Sequence, residues 1–267
     1  MDIKLWREIL EPYELAVKEL VVKFNHLITA SRKAGVYSPI EQVNGRVKTI
    51  SSILEKCQKK EIDFEHFEQH IDDIAGIRII CQFVEDIYRV VEIVRQRTDM
   101  RVKWEKDYIS NQKESGYRSY HISVYYTVES IHGPKEIPVE IQIRTLAMNF
   151  WAVIEHSLQY KYKENMPPAL RERLLKAAQA TTMLDEQMAS VREEILDAQN
   201  SFNVKANMVA AILTTIQNLY KVANKREVVR IQDEFFRIYS EGDLNDLAKF
   251  EKELDVIAEG YRAQSLN

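Results

Sequence analysis

Cysteine, glycine and proline are all scarce in this chain. Two cysteines, Cys57 and Cys81, among 267 residues give no thiolate cluster and no metal-ligand spacing. They read as reduced residues of a cytoplasmic protein. Seven glycines and six prolines argue against a loop-rich β fold and for long regular elements. No apolar run reaches the roughly 18 residues of a membrane span, so none is expected. The start, Met1-Asp-Ile-Lys-Leu-Trp6, lacks the apolar core of a signal peptide. There is no excess of positive charge either: 37 Lys and Arg face 41 Asp and Glu, a net of −4. A polyanion site would therefore have to be a local gathering of cations. No Gly-x-x-x-x-Gly-Lys-Ser/Thr loop occurs, and no Ser or Cys stands in a nucleophile arrangement with His.

What is present is enough for a sizeable core: 45% hydrophobic residues and 9% aromatics. Residues 4–30 repeat apolar positions at three and four and predict a helix. Ser38-Pro-Ile-Glu41 has the form of a helix start, so a helix is expected to run to about Lys59 and to carry Arg46, Lys48 and Lys56. A short helix over 64–71 would deliver Asp72 and Asp73. Four strands are expected: 77–83, apolar throughout, then 101–109, 120–126 and 136–144, which alternate. A helix over 85–97 separates the first two and favours parallel or mixed pairing there. The short link around Ser130 suggests a hairpin between the last two. After Thr145 everything reads helical. Residues 146–162 form one helix, and a long stripe follows through Leu170, Leu174, Ala177, Leu184, Met188, Val191 and Ile195. Further stripes lie at 209–219, 228–238 and 247–261. The expected division is an α/β core over 1–200 and a helical extension over 201–267.

The chemistry concentrates between Asp73 and His156. In the strand 136–144, Glu140, Gln142 and Arg144 fall on one face by period two. A solvated sheet face would explain them; so would a polar cleft wall in which Glu140 binds a metal or takes a proton. Asp73 enters a buried strand through Asp73-Ile-Ala-Gly-Ile-Arg78. It is either a cap or partner of Arg78, or half of a magnesium site with Glu140. Asp72 reads as surface. In Lys113-Glu-Ser-Gly-Tyr-Arg-Ser-Tyr-His121, Gly116 permits a turn or a close approach. There Tyr117 can stack on a base, and Lys113, Arg118 and His121 can meet phosphates. Trp151 and His156 read as core, while Asn149 and Glu155 can read a base edge.

Taken in order, these segments resemble the synthetase domain of the RelA/SpoT family, over roughly residues 1–200. The carriers are Ser38-Pro-Ile-Glu41 with Gly45-Arg-Val-Lys48, Asp73–Arg78, Lys106-Asp-Tyr-Ile109, Lys113–His121, Glu140-Ile-Gln-Ile-Arg144 and Ala147–Trp151 with Glu155-His156. The overall form is similar to the small, single-domain alarmone synthetases. The resemblance implies an α/β (α+β) nucleotidyltransferase-like fold, a mixed sheet of about five strands flanked by helices. It implies a cytoplasmic GTP/GDP diphosphokinase that moves pyrophosphate from ATP to the 3′-OH of GDP or GTP in the stringent response. Asp73 would hold Mg²⁺, with Glu140 a second ligand or the base. Arg46 and Arg78 would sandwich adenine, and Lys48, Lys56 and Lys106 would hold ATP phosphates. Tyr117 would stack on guanine, Asn149 would read its edge, Lys113 and His121 would bind its phosphates, and Gln142 and Arg144 would complete that wall. A homo-oligomer, with a tetramer favoured, is implied as well.

No His-Asp motif of the family's hydrolase domain occurs, so degradation is not expected. Two other readings compete: a toxin-like tRNA 3′-end pyrophosphokinase, and a non-catalytic nucleotide or RNA-binding regulator. Both are disfavoured by the acidic balance or by the intact Asp73 and Glu140. Single-stranded RNA binding as a side activity stays open but is not indicated.

Overall fold

A computed structural model describes residues 3–131, 133–162 and 166–265. Helix α1 (Ile3–Lys33) buries Tyr13, Ala16, Val17, Leu20 and Phe24, the stripe its periodicity predicts. That stripe lies against a mixed sheet of five strands. They are β1 (Gln42–Val47), β2 (Ala75–Cys81), β3 (Met100–Asp107), β4 (Tyr120–Ser130) and β5 (Gly133–Thr145), in the order β1-β2-β5-β4-β3. β2 and β5 are parallel; every other neighbouring pair is antiparallel. The expected β4–β5 hairpin is present. β2 and β3 do not pair: β5 and β4 lie between them, because the connecting helix α4 (Val84–Arg95) carries the chain to the far edge.

The expected helix from Ser38 to about Lys59 does not form as one element. The segment around Arg46 is a strand, and the helix α2 (Ile50–Lys59) begins only after it, capped by Thr49. Ser38 closes a local turn with Ile40 instead of capping a helix. From Glu41 onward the backbone bonds to β2. Val43 is buried, and Gly45 allows close approach of α1: a Cβ there would lie 2.5 Å from Val17 and 2.8 Å from Val21. Arg46 is thus on a strand, Lys48 is in the loop after it, and only Lys56 is helical.

A 3-10 turn (Phe64–His66) and α3 (Phe67–His70) precede the two aspartates, as expected. Asp72 is not free surface. It accepts from Lys103 Nζ at 2.6 Å and Trp104 Nε1 at 2.7 Å, tying the edge strand to the entry of β2. Cys57 and Cys81 are both free and buried, and burial pushes the Cys81 thiol up. Helix α5 (Leu146–Tyr162) buries Met148, Trp151 and Ala152 but leaves His156 exposed, against its reading as core.

Helix α6 (Pro168–Val222) runs unbroken for 55 residues. Two stripes read separately in the sequence therefore belong to one helix. The chain divides into two compact units, Met1–Ala189 and Ser190–Asn267. In the second, α7 (Lys225–Glu241) and α8 (Leu244–Ser265) close a small core of Ile212, Ile216, Leu219, Val228, Phe235, Leu247, Phe250 and Leu254 with the end of α6. Among the described residues no helix is long and apolar enough to cross a membrane.

Candidate active site

The sheet has one apolar and one polar face, and the ladder registers decide what shares the polar one. Residues paired across strands project to the same side. Asn44 pairs with Arg78 and Arg46 with Gly76. Gly76 pairs with Glu140, and Arg78 with Gln142. His121 pairs with Gln142 and Ser123 with Glu140. Lys106 pairs with His121. The candidate residues of all five strands thus lie on a single face, and a pocket there is lined by Asn44, Gly45, Arg46, Asp73, Gly76, Ile77, Arg78, Glu140 and Gln142.

At one end of the pocket Asp73 accepts from Lys48 Nζ and Lys56 Nζ, each at 2.6 Å. Burial raises its carboxyl, but the two ammonium groups outweigh that and hold it below the usual range. Asp73 is therefore not Arg78's partner. Glu140 accepts from His121 Nδ1 at 2.9 Å and from Gln142 Nε2 at 3.0 Å. Its burial would raise it, and Asp73 pushes the same way; the bonds from His121 and Gln142 prevail and lower it. Both carboxyl groups are thus ionised at neutral pH.

The far side is a chain of bonds. Arg144 donates to Tyr117 Oη at 2.5 Å and to Gln142 Oε1 at 2.9 Å. Tyr117 Oη lies 2.8 Å from His121 Nε2. Because ionised Glu140 can only accept, His121 donates to it through Nδ1, and its Nε2 pairs with the Tyr117 hydroxyl. The chain Arg144–Tyr117–His121–Glu140 fixes the aromatic ring relative to the carboxylate. Lys113 Nζ stands 4.5 Å from the Tyr108 ring centre and 5.0 Å from that of Tyr117, and Arg144 stands 5.1 Å from the latter.

Three guanidinium groups crowd this face. Burial lowers the pKa of Arg78, and Arg144 and Arg46 lower it further. Arg78 Nε is buried without a hydrogen-bond partner among the described residues; so are Ser123 Oγ and Asn149 Oδ1. A buried unpaired donor between like charges calls for an anion or a π surface beside it.

Eleven candidates are joined by contacts or by the pocket: Arg46, Lys48, Lys56, Asp73, Arg78, Lys113, Tyr117, His121, Glu140, Gln142 and Arg144. Two stand apart. Lys106 sits 5.1 Å from the Trp104 ring, and Asn149 lies at the start of α5. Arg118 turns away from the pocket and donates to Thr182 of α6. Asn44, Gly76, Tyr108 and Ser123 were not singled out. A period-two reading of β1 would have placed Asn44 beside Arg46.

Asp73 and Glu140 fit a magnesium ion. Both line one pocket, each carboxylate keeps free lone pairs, and magnesium takes one or two carboxylates with the rest from phosphates and water. No group of three or more His, Cys, Asp or Glu suited to an all-protein metal cage exists among the described residues. The face can neutralise a polyphosphate and present guanidinium and aromatic planes to bases.

A cleft lined by carboxylates and cations thus lies on the polar face of a mixed sheet. A family described as "Region found in RelA / SpoT proteins" matches residues 45–165. GTP pyrophosphokinase YjbM of Bacillus subtilis is 50% identical over 205 residues, 77% of this chain and 97% of that protein. GTP pyrophosphokinase YwaC of the same organism is 38% identical over 192 residues, 71% and 91% of the two chains. The crystal structure of small alarmone synthetase 1 from Bacillus subtilis bound to its product pppGpp aligns with TM-score 0.70 and 50% identity, covering 72% of this chain and 98% of that one. The same synthetase bound to AMPCPP aligns with TM-score 0.64 and 45% identity, covering 73% and 99%. The chain belongs to the RelA/SpoT family.

Proposed function

We propose that this chain is a GTP pyrophosphokinase that makes ppGpp or pppGpp from ATP and GDP or GTP. The acceptor's 3′-oxygen attacks the β-phosphorus of ATP, the bond from that phosphorus to the α–β bridging oxygen breaks, and AMP leaves. The observation that carries the reading is that two ionised carboxylates, Asp73 in the turn before β2 and Glu140 on the sheet, line one pocket, with a cation cluster on one side and a braced tyrosine on the other. Such transfer needs mainly positioning and charge neutralisation.

In this reading Arg46 and Arg78 enclose adenine, and the orphaned Nε of Arg78 gains a partner plane or anion. Lys48, Lys56 and Lys106 meet ATP phosphates, the first two sharing their charge with Asp73. Tyr117 stacks on guanine, and Asn149, with its unpaired Oδ1, accepts from the base edge. Lys113 and His121 meet the acceptor's phosphates, beside Gln142 and Arg144. Glu140 takes the 3′-hydroxyl proton or, with Asp73, holds Mg²⁺. When bound, that ion supplies charge neutralisation of the transferred phosphates.

Cytoplasmic location is proposed on the two free, buried cysteines. A homo-oligomer, with a tetramer favoured, is supported by exposed apolar side chains along α6 at Leu184, Met188, Val191 and Ile195. We assign the synthetase domain to residues 1–200 and treat 201–267 as a helical extension.

The test is to incubate the protein with ATP, Mg²⁺ and GDP or GTP and resolve products by anion exchange. AMP appearing in step with a guanosine 3′-pyrophosphate is expected. AMP absent with free nucleotides but formed with tRNA would overturn the reading.

A further inference from the structure

The loop carrying Tyr117 is docked along one face of α6. Leu175, Ala178, Thr182 and Asp185 follow at spacings of three, four and three, which places them in one stripe. Gly116 meets this stripe first: a Cβ there would lie 2.5 Å from Ala178 Cβ and 3.2 Å from Leu175 Cδ1. Tyr117 packs on the small cluster of Trp151, Ala152 and Ala178. Arg118 donates to Thr182 Oγ1 at 3.0 Å and lies 3.9 Å from Asp185 Oδ2.

Asp185 is 7% exposed and accepts from Thr145 Oγ1 at 3.0 Å. Thr145 ends β5 next to Arg144, and its hydroxyl accepts from Met148 N–H at 3.1 Å in the first turn of α5, beside Asn149. One carboxylate thus reaches the tyrosine loop through Arg118, and both the end of β5 and the start of α5 through Thr145. A buried carboxylate is an expensive way to fill space, since an apolar side chain would avoid its desolvation. What it adds is direction: the bond from Thr145 has fixed geometry, and the charge draws the Arg118 guanidinium to 3.9 Å on the other side.

We propose that Asp185 is a positioning residue for the guanosine acceptor. It holds Tyr117, Arg144 and Asn149 in mutual register without touching the nucleotide itself. This rests on the function proposed above. A tie that serves only stability would weaken both substrates alike. A positioning role on this side alone separates them.

The experiment is steady-state kinetics on wild type, Asp185→Ala, Asp185→Asn and Thr182→Val. Thermal melts and GDP binding by equilibrium dialysis accompany it. Asp185→Ala is expected to raise KM for GDP about five- to tenfold while KM for ATP stays within about twofold. Asp185→Asn keeps an oxygen for Thr145 and should rescue part of the loss. Thr182→Val removes only Arg118's neutral partner and should raise KM for GDP about threefold, so it carries the test if Asp185→Ala does not fold. Unchanged KM for GDP in the folded variants, or equal rises for both substrates, would overturn the proposal. If wild type binds GDP but makes no 3′-pyrophosphate, the proposed function falls, while the ratio of GDP dissociation constants still decides the role of Asp185. If wild type binds no GDP, both fall.

Discussion

Replacing Gly116 by alanine should damage the protein in a way that can be divided between backbone and packing. Gly116 has φ +87°, where an L side chain is strained, and its Cβ would meet Ala178 Cβ at 2.5 Å. The backbone strain is worth about 1–2 kcal/mol. The clash adds about 1–3 kcal/mol, because Ala178 has no rotamer with which to retreat and α6 would have to shift as a body. The stiffer unfolded chain returns about 0.4–1 kcal/mol. A net loss of about 1–5 kcal/mol follows from these terms. Gly35 is the control: its φ is +65°, but nothing lies within 4 Å of its built Cβ. Gly35→Ala should show the backbone share alone. Urea unfolding of both variants, with KM for GDP measured alongside, separates the outcomes. Should the loop yield instead of the fold, the loss appears as a raised KM for GDP, because Tyr117 is the next residue. If Gly116→Ala matched Gly35→Ala in stability and left KM for GDP unchanged, the packing argument would be refuted.

Two other consequences concern stability. Asp72→Ala removes the acceptor of Lys103 and leaves Trp104 Nε1 without its partner, so urea unfolding should show a loss of about 1–3 kcal/mol. An unmoved midpoint would contradict the role given to Asp72 as the tie of the edge strand. Acid should destabilise the fold through Asp73, Glu140 and Asp99, the last of which is lowered to about 2, chiefly by Arg97. Unfolded, these groups take up protons near pH 4; folded, they do so only at lower pH. Their stabilisation is therefore complete above about pH 4 and is lost as pH falls through the folded values. Asp185, raised by burial, works with the opposite sign. Urea midpoints between about pH 5 and pH 2 should fall with pH, and less steeply in Asp99→Asn; equal slopes would contradict this.

Much of the fold was legible because its signals are local. β5 shows Glu140, Gln142 and Arg144 against buried Val139, Ile141 and Ile143, and the ladder registers put the polar set beside Arg78 and His121. β1 was read as a helix because Ser38-Pro-Ile-Glu41 imitates a capping box. Its inward stripe is only Val43, Gly45 and Val47, and glycine carries no hydrophobic mark. The cap belongs to Thr49, eleven positions later in the chain than Ser38. The unbroken α6 was readable in principle, since neither glycine nor proline occurs from Ala169 to Glu241. Asp72, Arg118 and Asp185 were beyond local reading. Their partners, Lys103 and Trp104, Thr182, and Thr145, lie 31 to 64 positions away. A lone carboxylate or arginine gives no sign of which distant element will receive it.

The central claim is that Asp73 and Glu140 act together on one pyrophosphate transfer. The most direct measurement is AMP release and guanosine 3′-pyrophosphate formation in wild type, Asp73→Asn and Glu140→Gln, with urea midpoints taken on the same preparations. The account predicts that both isosteric variants stay folded and bind GDP while turnover falls by at least about a hundredfold. Full turnover in either variant would contradict it.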